Sequence, residues 1–392
     1  MTIPLVKKTF LEETATKKAL AEFILSADML SFGERCERFQ SEFADLQGSR
    51  YALLFNSGGS ANLALLQALK NLGFLSDGDR IGFSSVTWST NVMPIIQLGM
   101  IPVPVDCDRR TLNVMSDGLE ATLRTTNMKA FFLTNVLGFA GDLDAIRTLC
   151  SDRGIILLED NCESLGTELP SGRTGNFGLA STFSFYVSHH MSTIEGGMIC
   201  TSSPKLASML KITRANGWNR NLDETEKRRF REQHGAFGDL DEKYTFYDLG
   251  FNLRPTEITG FLGSFQLPFL PESLKKRQRN YLFVEEAMRA NDDLLPPDRE
   301  HLSFFSSFAI PIVCKTPELR SHYSRKLEAA GVEIRPLIAG NIQHQPFFGK
   351  YVTESYELPE ADFLHECALY CGNHPDLTEE DLAVLAGCLN FR

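Results

Sequence analysis

Short apolar runs alternate with amphipathic stretches along this chain, and that alternation constrains its fold more than any other feature. Tyr51–Phe55 reads as a strand. Residues 60–72 follow as a helix with Leu65, Leu69 and Leu72 on one stripe and Gly73 as its stop. Further strands are expected at 80–83, Ile101–Val105, 130–135, 155–158, 181–185 and Gly197–Thr201. Several are apolar on both faces, the pattern of a parallel sheet covered by helices on each side. The expectation is a three-layer α/β fold with a mostly parallel sheet. A chain of 392 residues exceeds one typical folding unit. Pro268 and Pro271 mark a change of character: 272–289 reads as a long amphipathic helix, followed by strands at 304–314 and 332–337 and a closing helix at Glu379–Leu389. The expected division is a large domain with an N-terminal arm at 1–267, then a linker helix and smaller α+β domain at 268–392. Residues 214–247, rich in Arg, Glu and Asp, read as a solvated, partly mobile excursion, with an ordered role left open.

Composition enters through what it excludes. The net charge of −11 argues against a general nucleic-acid or anionic-membrane surface, so an anionic substrate needs local cations. Residues 1–8 lack an apolar signal core, and no apolar stretch approaches membrane-spanning length, so a cytoplasmic protein is expected. Nine scattered cysteines, an odd number, fit reduced thiols rather than a disulfide framework.

Three places carry chemistry. Asn56-Ser57-Gly58-Gly59-Ser60-Ala61 joins a strand to a helix. Gly58 and Gly59 would let backbone N–H groups approach a phosphate where the helix dipole favours an anion. An ordinary glycine-rich turn is the alternative. The apolar run 155–158 ends in Glu159-Asp160-Asn161-Cys162-Glu163. A carboxylate at the carboxyl end of a parallel strand points into a ligand crevice; a solvated, capped strand end is the alternative. Trp88 offers either a broad stacking surface or core packing. His365, Cys367, Cys371 and His374 lack the spacing of a familiar zinc module, so no metal is expected.

Phe183-Ser184-Phe185-Tyr186-Val187-Ser188-His189-His190, followed by Glu195-Gly196-Gly197, resembles the cofactor segment of the nucleotide-sugar aminotransferases, fold-type I enzymes of pyridoxal phosphate (PLP). There Phe-Ser-Phe precedes, by three residues, the lysine that bonds PLP, and Glu-Gly-Gly comes six residues after it. Counting from either end puts His189 on the lysine; His190 is out of register by one. Five motifs keep the family's order from about Leu30 onward. The resemblance implies that Asp160 pairs with the pyridine nitrogen and makes the ring an electron sink. It also implies Glu163 near the ring hydroxyl, Trp88 stacked on the ring and Ser184 on the phosphate. Leu249-Gly250-Phe251-Asn252-Leu253-Arg254 resembles a segment whose Asn reaches the phosphate of the neighbouring subunit. Asn252 therefore implies a homodimer with shared sites.

One branch of that family carries histidine for lysine and contains sugar 3-dehydratases that use pyridoxamine phosphate (PMP). Ser57-Gly58-Gly59-Ser60-Ala61-Asn62 resembles its Ser-Gly-Ser-Ser-Ala-Asn, and Arg335 through Asn341 resembles its Arg-x-x-x-Ala-Gly-Asn loop near the sugar. The implied activity is 3-deoxygenation of a nucleotide-linked 4-keto-6-deoxyhexose, with L-glutamate regenerating PMP. His189 would act as acid and base. CDP-sugar members hold an iron–sulfur cluster on four clustered cysteines; this chain has no cysteine between Cys200 and Cys314. No such cluster is expected, and GDP-4-keto-6-deoxymannose is the expected substrate, feeding a 3,6-dideoxy sugar of a surface polysaccharide. Arg254 and Arg335 are candidates for the nucleotide phosphates or the glutamate carboxylate. Asn341 and His344 are further substrate candidates, a loop histidine without a role being the alternative for His344. Two other readings stand beside this one. The first is a nucleotide-sugar 4-aminotransferase using another lysine, although none lies between Lys129 and Lys205. The second is a non-catalytic PMP or nucleotide-sugar binder, against which Asp160 and Glu163 weigh.

Overall fold

The computed structural model describes residues 2–235, 238 and 240–390. Met1, Ala236, Phe237, Asp239, Phe391 and Arg392, which the expected excursion and outer domain bounds include, lie outside the described residues. The central sheet uses β1 (Tyr51–Phe55), β2 (Arg80–Ser84), β3 (Ile101–Val105), β4 (Ala130–Thr134) and β5 (Ile156–Asp160). A short hairpin, β6 (Glu168–Leu169) and β7 (Gly172–Arg173), precedes β8 (Ala180–Ser184) and β9 (Gly197–Thr201). The spatial order is β1-β9-β8-β5-β4-β2-β3. Strands β3, β2, β4, β5 and β8 run parallel, and β9 opposes both of its neighbours. β4, β8 and β9 are buried along their whole length, as the two-faced apolar pattern predicted.

The helix Gly58–Asn71 starts where Ser57 Oγ accepts from Ser60 N at 3.1 Å. It buries Leu65 and Leu69 beneath the sheet. Strand β5 shows the period-two geometry at work: Glu159 and Asp160 face opposite sides. Glu159 is fully buried and accepts from Gly175 N (2.7 Å), Phe177 N (2.7 Å) and Gly178 N (2.9 Å), which fixes the turn into β8. Asp160 faces the carboxyl edge, where the loops after β1, β2 and β8 also arrive.

A second sheet, order β10-β12-β11, is antiparallel and built from β10 (Ala309–Val313), β11 (Ile334–Pro336) and β12 (Ala368–Gly372). The helix Leu270–Arg289 leads to it and packs on the helix Glu379–Leu389. The N-terminal arm joins this end of the molecule, with Ile3 bridged to Val332 and Lys7 Nζ 2.5 Å from Asp381 Oδ2.

One expectation needs correction. The strand expected at 304–314 begins at Ala309, because residues before it fold against Gly138. A Cβ on Gly138 would lie 2.3 Å from Ser307 N, so this approach requires glycine, and Ser307 itself takes φ 38°. The described part of 214–247 is largely exposed from Asp223 onward, as its composition suggests, and anchored at its start. It contains the helix Glu224–His234, headed by an Asp223–Glu226 capping box. Arg214 is 1% exposed and donates to Leu54 O at 2.6 Å and Gln40 Oε1 at 2.9 Å. All nine cysteines are free thiols. Among the described residues no helix is long and apolar enough to cross a membrane.

Candidate active site

A cavity of about 490 Å³ opens at the carboxyl edge of the parallel strands. Gly58, Gly59, Trp88, Asp160, Glu163, Ser184 and His189 all line it. At its floor Asp160 is 3% exposed. Its Oδ2 accepts from Asn62 Nδ2 (2.9 Å) and Asn91 Nδ2 (2.8 Å), and its Oδ1 accepts from Cys162 N (2.8 Å). Three donors thus fix the carboxylate plane. Glu163 Oε2 accepts from Leu137 N at 3.0 Å, and burial pushes its carboxyl up to about 7.

His189 Nδ1 lies 2.6 Å from the Cys162 carbonyl oxygen. A carbonyl can only accept, so Nδ1 carries the hydrogen and Nε2 the lone pair. The ring packs against Phe308, centroids 5.3 Å apart. Burial lowers its pKa to about 4, so the imidazole is neutral at neutral pH.

These shifts have a measurable consequence. His189, held down at about 4, binds fewer protons folded than unfolded below pH 6.5. Its share of stability is present above pH 6.5 and lost as pH falls toward 4. Glu163, raised to about 7, acts in the opposite sense, its share being lost as pH rises from 4.5 toward 7. In thermal melts of ligand-free protein, His189→Asn should gain on the wild type as pH falls from 6.5 to 4. A Tm difference independent of pH would show that this imidazole is not held neutral.

Trp88 is 57% exposed and presents its indole to the cavity. Gly58 closes the opposite end: a Cβ there would sit 2.6 Å from Ser184 Cβ. Helix start and β8 therefore meet with no room for a methyl group. Gly58→Ala should push the helix N-terminus off Ser184, costing ~1–3 kcal/mol.

The remaining expected residues lie elsewhere. Asn252 is exposed, and its Oδ1 accepts from Arg254 Nε at 3.1 Å; neither lines the cavity. Arg335 donates to Glu333 Oε1 (2.5 Å) and borders a neighbouring cleft of about 400 Å³ that shares His189 as a wall. Asn341 is fully buried, giving Nδ2 to Asp362 Oδ1 (2.7 Å) and accepting from Gln343 N (3.0 Å). His344 Nε2 is 3.0 Å from the same Asp362 oxygen. His365 packs on His344 at 5.0 Å, while Cys371 is buried in β12. Among the described residues no group of three or more His, Cys, Asp or Glu is placed to hold a metal ion.

The sequence reading assigned no role to Asn62 and Asn91, which hold Asp160. Asn62 sits one helical turn after Gly58, on the same face, and that spacing was the available signal. It also missed Phe308, Ile338 and Tyr370, which complete the cavity from the C-terminal end of the chain. Ile338 lies inside the Arg335–Asn341 loop already singled out, whereas nothing local marks Phe308 or Tyr370.

The family model of the DegT/DnrJ/EryC1/StrS aminotransferases matches residues 11–390. The chain belongs to this family. Among its relatives is the GDP-4-keto-6-deoxy-D-mannose 3-dehydratase of Yersinia pseudotuberculosis, 33% identical over 363 residues, 91% of each chain. The Escherichia coli GDP-4-keto-6-deoxy-D-mannose 3-dehydratase with bound hydrated PLP superposes with a TM-score of 0.90, at 30% identity and 100% of each chain. A GDP-4-keto-6-deoxymannose 3-dehydratase with a trapped PLP–glutamate geminal diamine also gives 0.90, at 30% identity, covering 99% of this chain and 100% of that one. The fold is that of the fold-type I PLP enzymes, and the family is PLP-dependent. The cavity fits that cofactor. Gly58 is closed against Ser184 at a helix N-terminus suited to a phosphate, a buried carboxylate stands at the floor, and an exposed indole offers a ring face. In this DegT-family chain, Gly58→Ala should weaken PLP binding roughly tenfold, read by absorbance titration; unchanged affinity would remove the phosphate from this corner.

Proposed function

We propose that this chain is a PMP-dependent nucleotide-sugar 3-dehydratase acting on GDP-4-keto-6-deoxymannose, with L-glutamate returning the cofactor to its amine form. The observation that carries the reading is the neutral imidazole of His189 in the cavity where the family's lysine is expected, its Nδ1 tied to Cys162 O. A lysine amine competes for the cofactor's carbonyl carbon; an imidazole does not.

When bound, PMP supplies an amine that condenses with the sugar's 4-keto group and a conjugated ring that takes up an electron pair. His189 Nε2, its lone pair free because Nδ1 is tied to Cys162 O, would move the proton from the cofactor's 4′ carbon to the departing 3-hydroxyl, which would leave as water. Asp160, fixed by Asn62, Asn91 and the Cys162 N–H, partners the ring nitrogen. Glu163, its carboxyl pushed up to about 7 by burial, would stand near the ring hydroxyl. Trp88 covers the ring face, and Gly58, Gly59 and Ser184 bind the phosphate. Overall the sugar loses one oxygen while glutamate becomes 2-oxoglutarate and ammonia. The atoms and electrons balance without an iron–sulfur cluster.

Asn252, exposed beside Arg254, is assigned to the cofactor phosphate of a neighbouring subunit, which makes the protein a homodimer with shared sites. Arg254, Arg335, Asn341 and His344 are assigned to the substrate side, Asn341 by shaping its loop. Residues 1–267 form the cofactor-binding part and 268–392 the linker helix and smaller part. The cytoplasm is the expected compartment.

Product mass decides the reading after incubation with PLP, L-glutamate and GDP-4-keto-6-deoxymannose. Loss of one oxygen, with matching 2-oxoglutarate, supports it. A gained amino group with that oxygen retained means a 4-aminotransferase. No change with GDP-, CDP- or dTDP-linked substrates means a binder without turnover.

A further inference from the structure

An aromatic ledge stands beside Asn252. Isolated antiparallel bridges join Ala215 to Asn252 and Trp218 to Phe246, and Tyr247 N donates to Gly217 O at 2.8 Å. The two chain segments therefore run alongside each other from Asn252 to Trp218 and Phe246. Trp218 is three residues beyond Ala215, at most ~10 Å of extended chain.

The Trp218 and Tyr244 rings stack with centroids 5.3 Å apart and 13° between planes. Phe246 tilts against the same indole at 6.5 Å, and the Arg220 guanidinium stands 5.2 Å over it. The indole Nε1 donates to Lys243 O at 2.9 Å, which fixes the arrangement. Yet Tyr244 is 73% exposed and Phe246 58%. An open cavity of about 490 Å³ borders them, with Leu240 and Asp241 on its wall. Exposed ring faces held by hydrogen bonds and stacking carry less entropic cost on binding than loose side chains do. Open π-faces with a carboxylate on the rim match a heteroaromatic ring that presents N–H donors.

We propose that this ledge seats the nucleobase of the nucleotide-sugar, with Tyr244 and Phe246 stacking on it and Asp241 reading its edge. The inference rests on the nucleotide-sugar and homodimer readings given above. With Asn252 assigned to the neighbouring subunit's cofactor phosphate, the ledge stands at that subunit's entrance, and the base is read in trans. An ionised carboxylate only accepts hydrogen bonds. Guanine offers it two adjacent N–H donors, N1–H and the 2-amino group. Cytosine presents acceptors at the matching edge positions. Asp241 therefore sets a preference for guanine.

The chain has two tryptophans, so in a Trp88→Phe variant the fluorescence of Trp218 reports on the ledge. GDP alone should quench it, and CDP should do so less at equal concentration. Tyr244→Ala should raise KM for the GDP-sugar roughly tenfold with kcat nearly unchanged. Asp241→Asn should erase the preference of GDP over CDP. Tyr244→Leu, which keeps apolar volume and removes the π-face, serves if the alanine variant misfolds. Normal turnover by the wild type, with unchanged KM in the Tyr244 variants and no GDP quench, overturns the ledge and leaves the dehydratase reading standing. Absence of turnover on every 4-keto nucleotide-sugar overturns that reading instead, and the GDP quench still decides the ledge.

Discussion

Replacing His189 by asparagine should lower dehydration roughly 10²–10⁴-fold and leave PMP binding in place. An asparagine amide can keep a hydrogen bond to the Cys162 carbonyl, so the wall of the cavity survives. What disappears is the lone pair of Nε2, the group proposed to move a proton between the cofactor's 4′ carbon and the leaving hydroxyl. Single-turnover kinetics with PMP-loaded protein separate the two effects: binding near the wild type, chemistry nearly lost. Full activity would strip His189 of its role. The companion variant, His189→Lys, should bond PLP through its amine and shift the cofactor's absorbance. An unchanged spectrum would mean that residue 189 does not face the cofactor.

Asp160→Ala should be the most damaging single change for fold and activity together. The carboxylate accepts from the Asn62 and Asn91 amides in the interior and from the part-buried Cys162 N–H. Removing it strands three donors, at about 1–3 kcal/mol for each that finds no water. It also removes the proposed negative partner of the ring nitrogen, an expected loss of roughly 10²–10³-fold in rate by analogy with other preorganised charge contacts. Asp160→Asn keeps the volume and one acceptor oxygen, so its melting temperature should fall less than that of the alanine variant while activity falls comparably. Equal activity in Asp160→Asn and wild type would show that the charge is not needed.

The strands around the site were legible because each is short, apolar and bounded by turn residues. β1, β3 and β9 fall where the apolar runs lie, and β2, β4, β5 and β8 differ by a residue or two at their ends. The reading was weakest where charge dominates. Residues from Asp223 onward are largely exposed, as their composition suggests, but the burial of Arg214 depends on partners at Gln40 and Leu54, far away in sequence. The expected strand at 304–314 was too long for a similar reason: residues 304–308 are bent by Gly138, which no local pattern announces.

The sequence alone determined the layered α/β fold, the glycine turn before the first sheet helix, the carboxylates closing β5 and the histidine at 189. Each is local: it follows from periodicity, from turn chemistry or from counting between motifs. Tertiary structure alone decided which nitrogen of His189 is basic, because the Cys162 carbonyl that fixes the tautomer sits 27 residues away on another loop. It alone decided that Asn62 and Asn91 hold Asp160, and that Phe308 and Tyr370 wall the same cavity. Those facts depend on which surfaces are brought within hydrogen-bond or van der Waals distance when the sheet closes, and a linear pattern does not encode distance between remote residues.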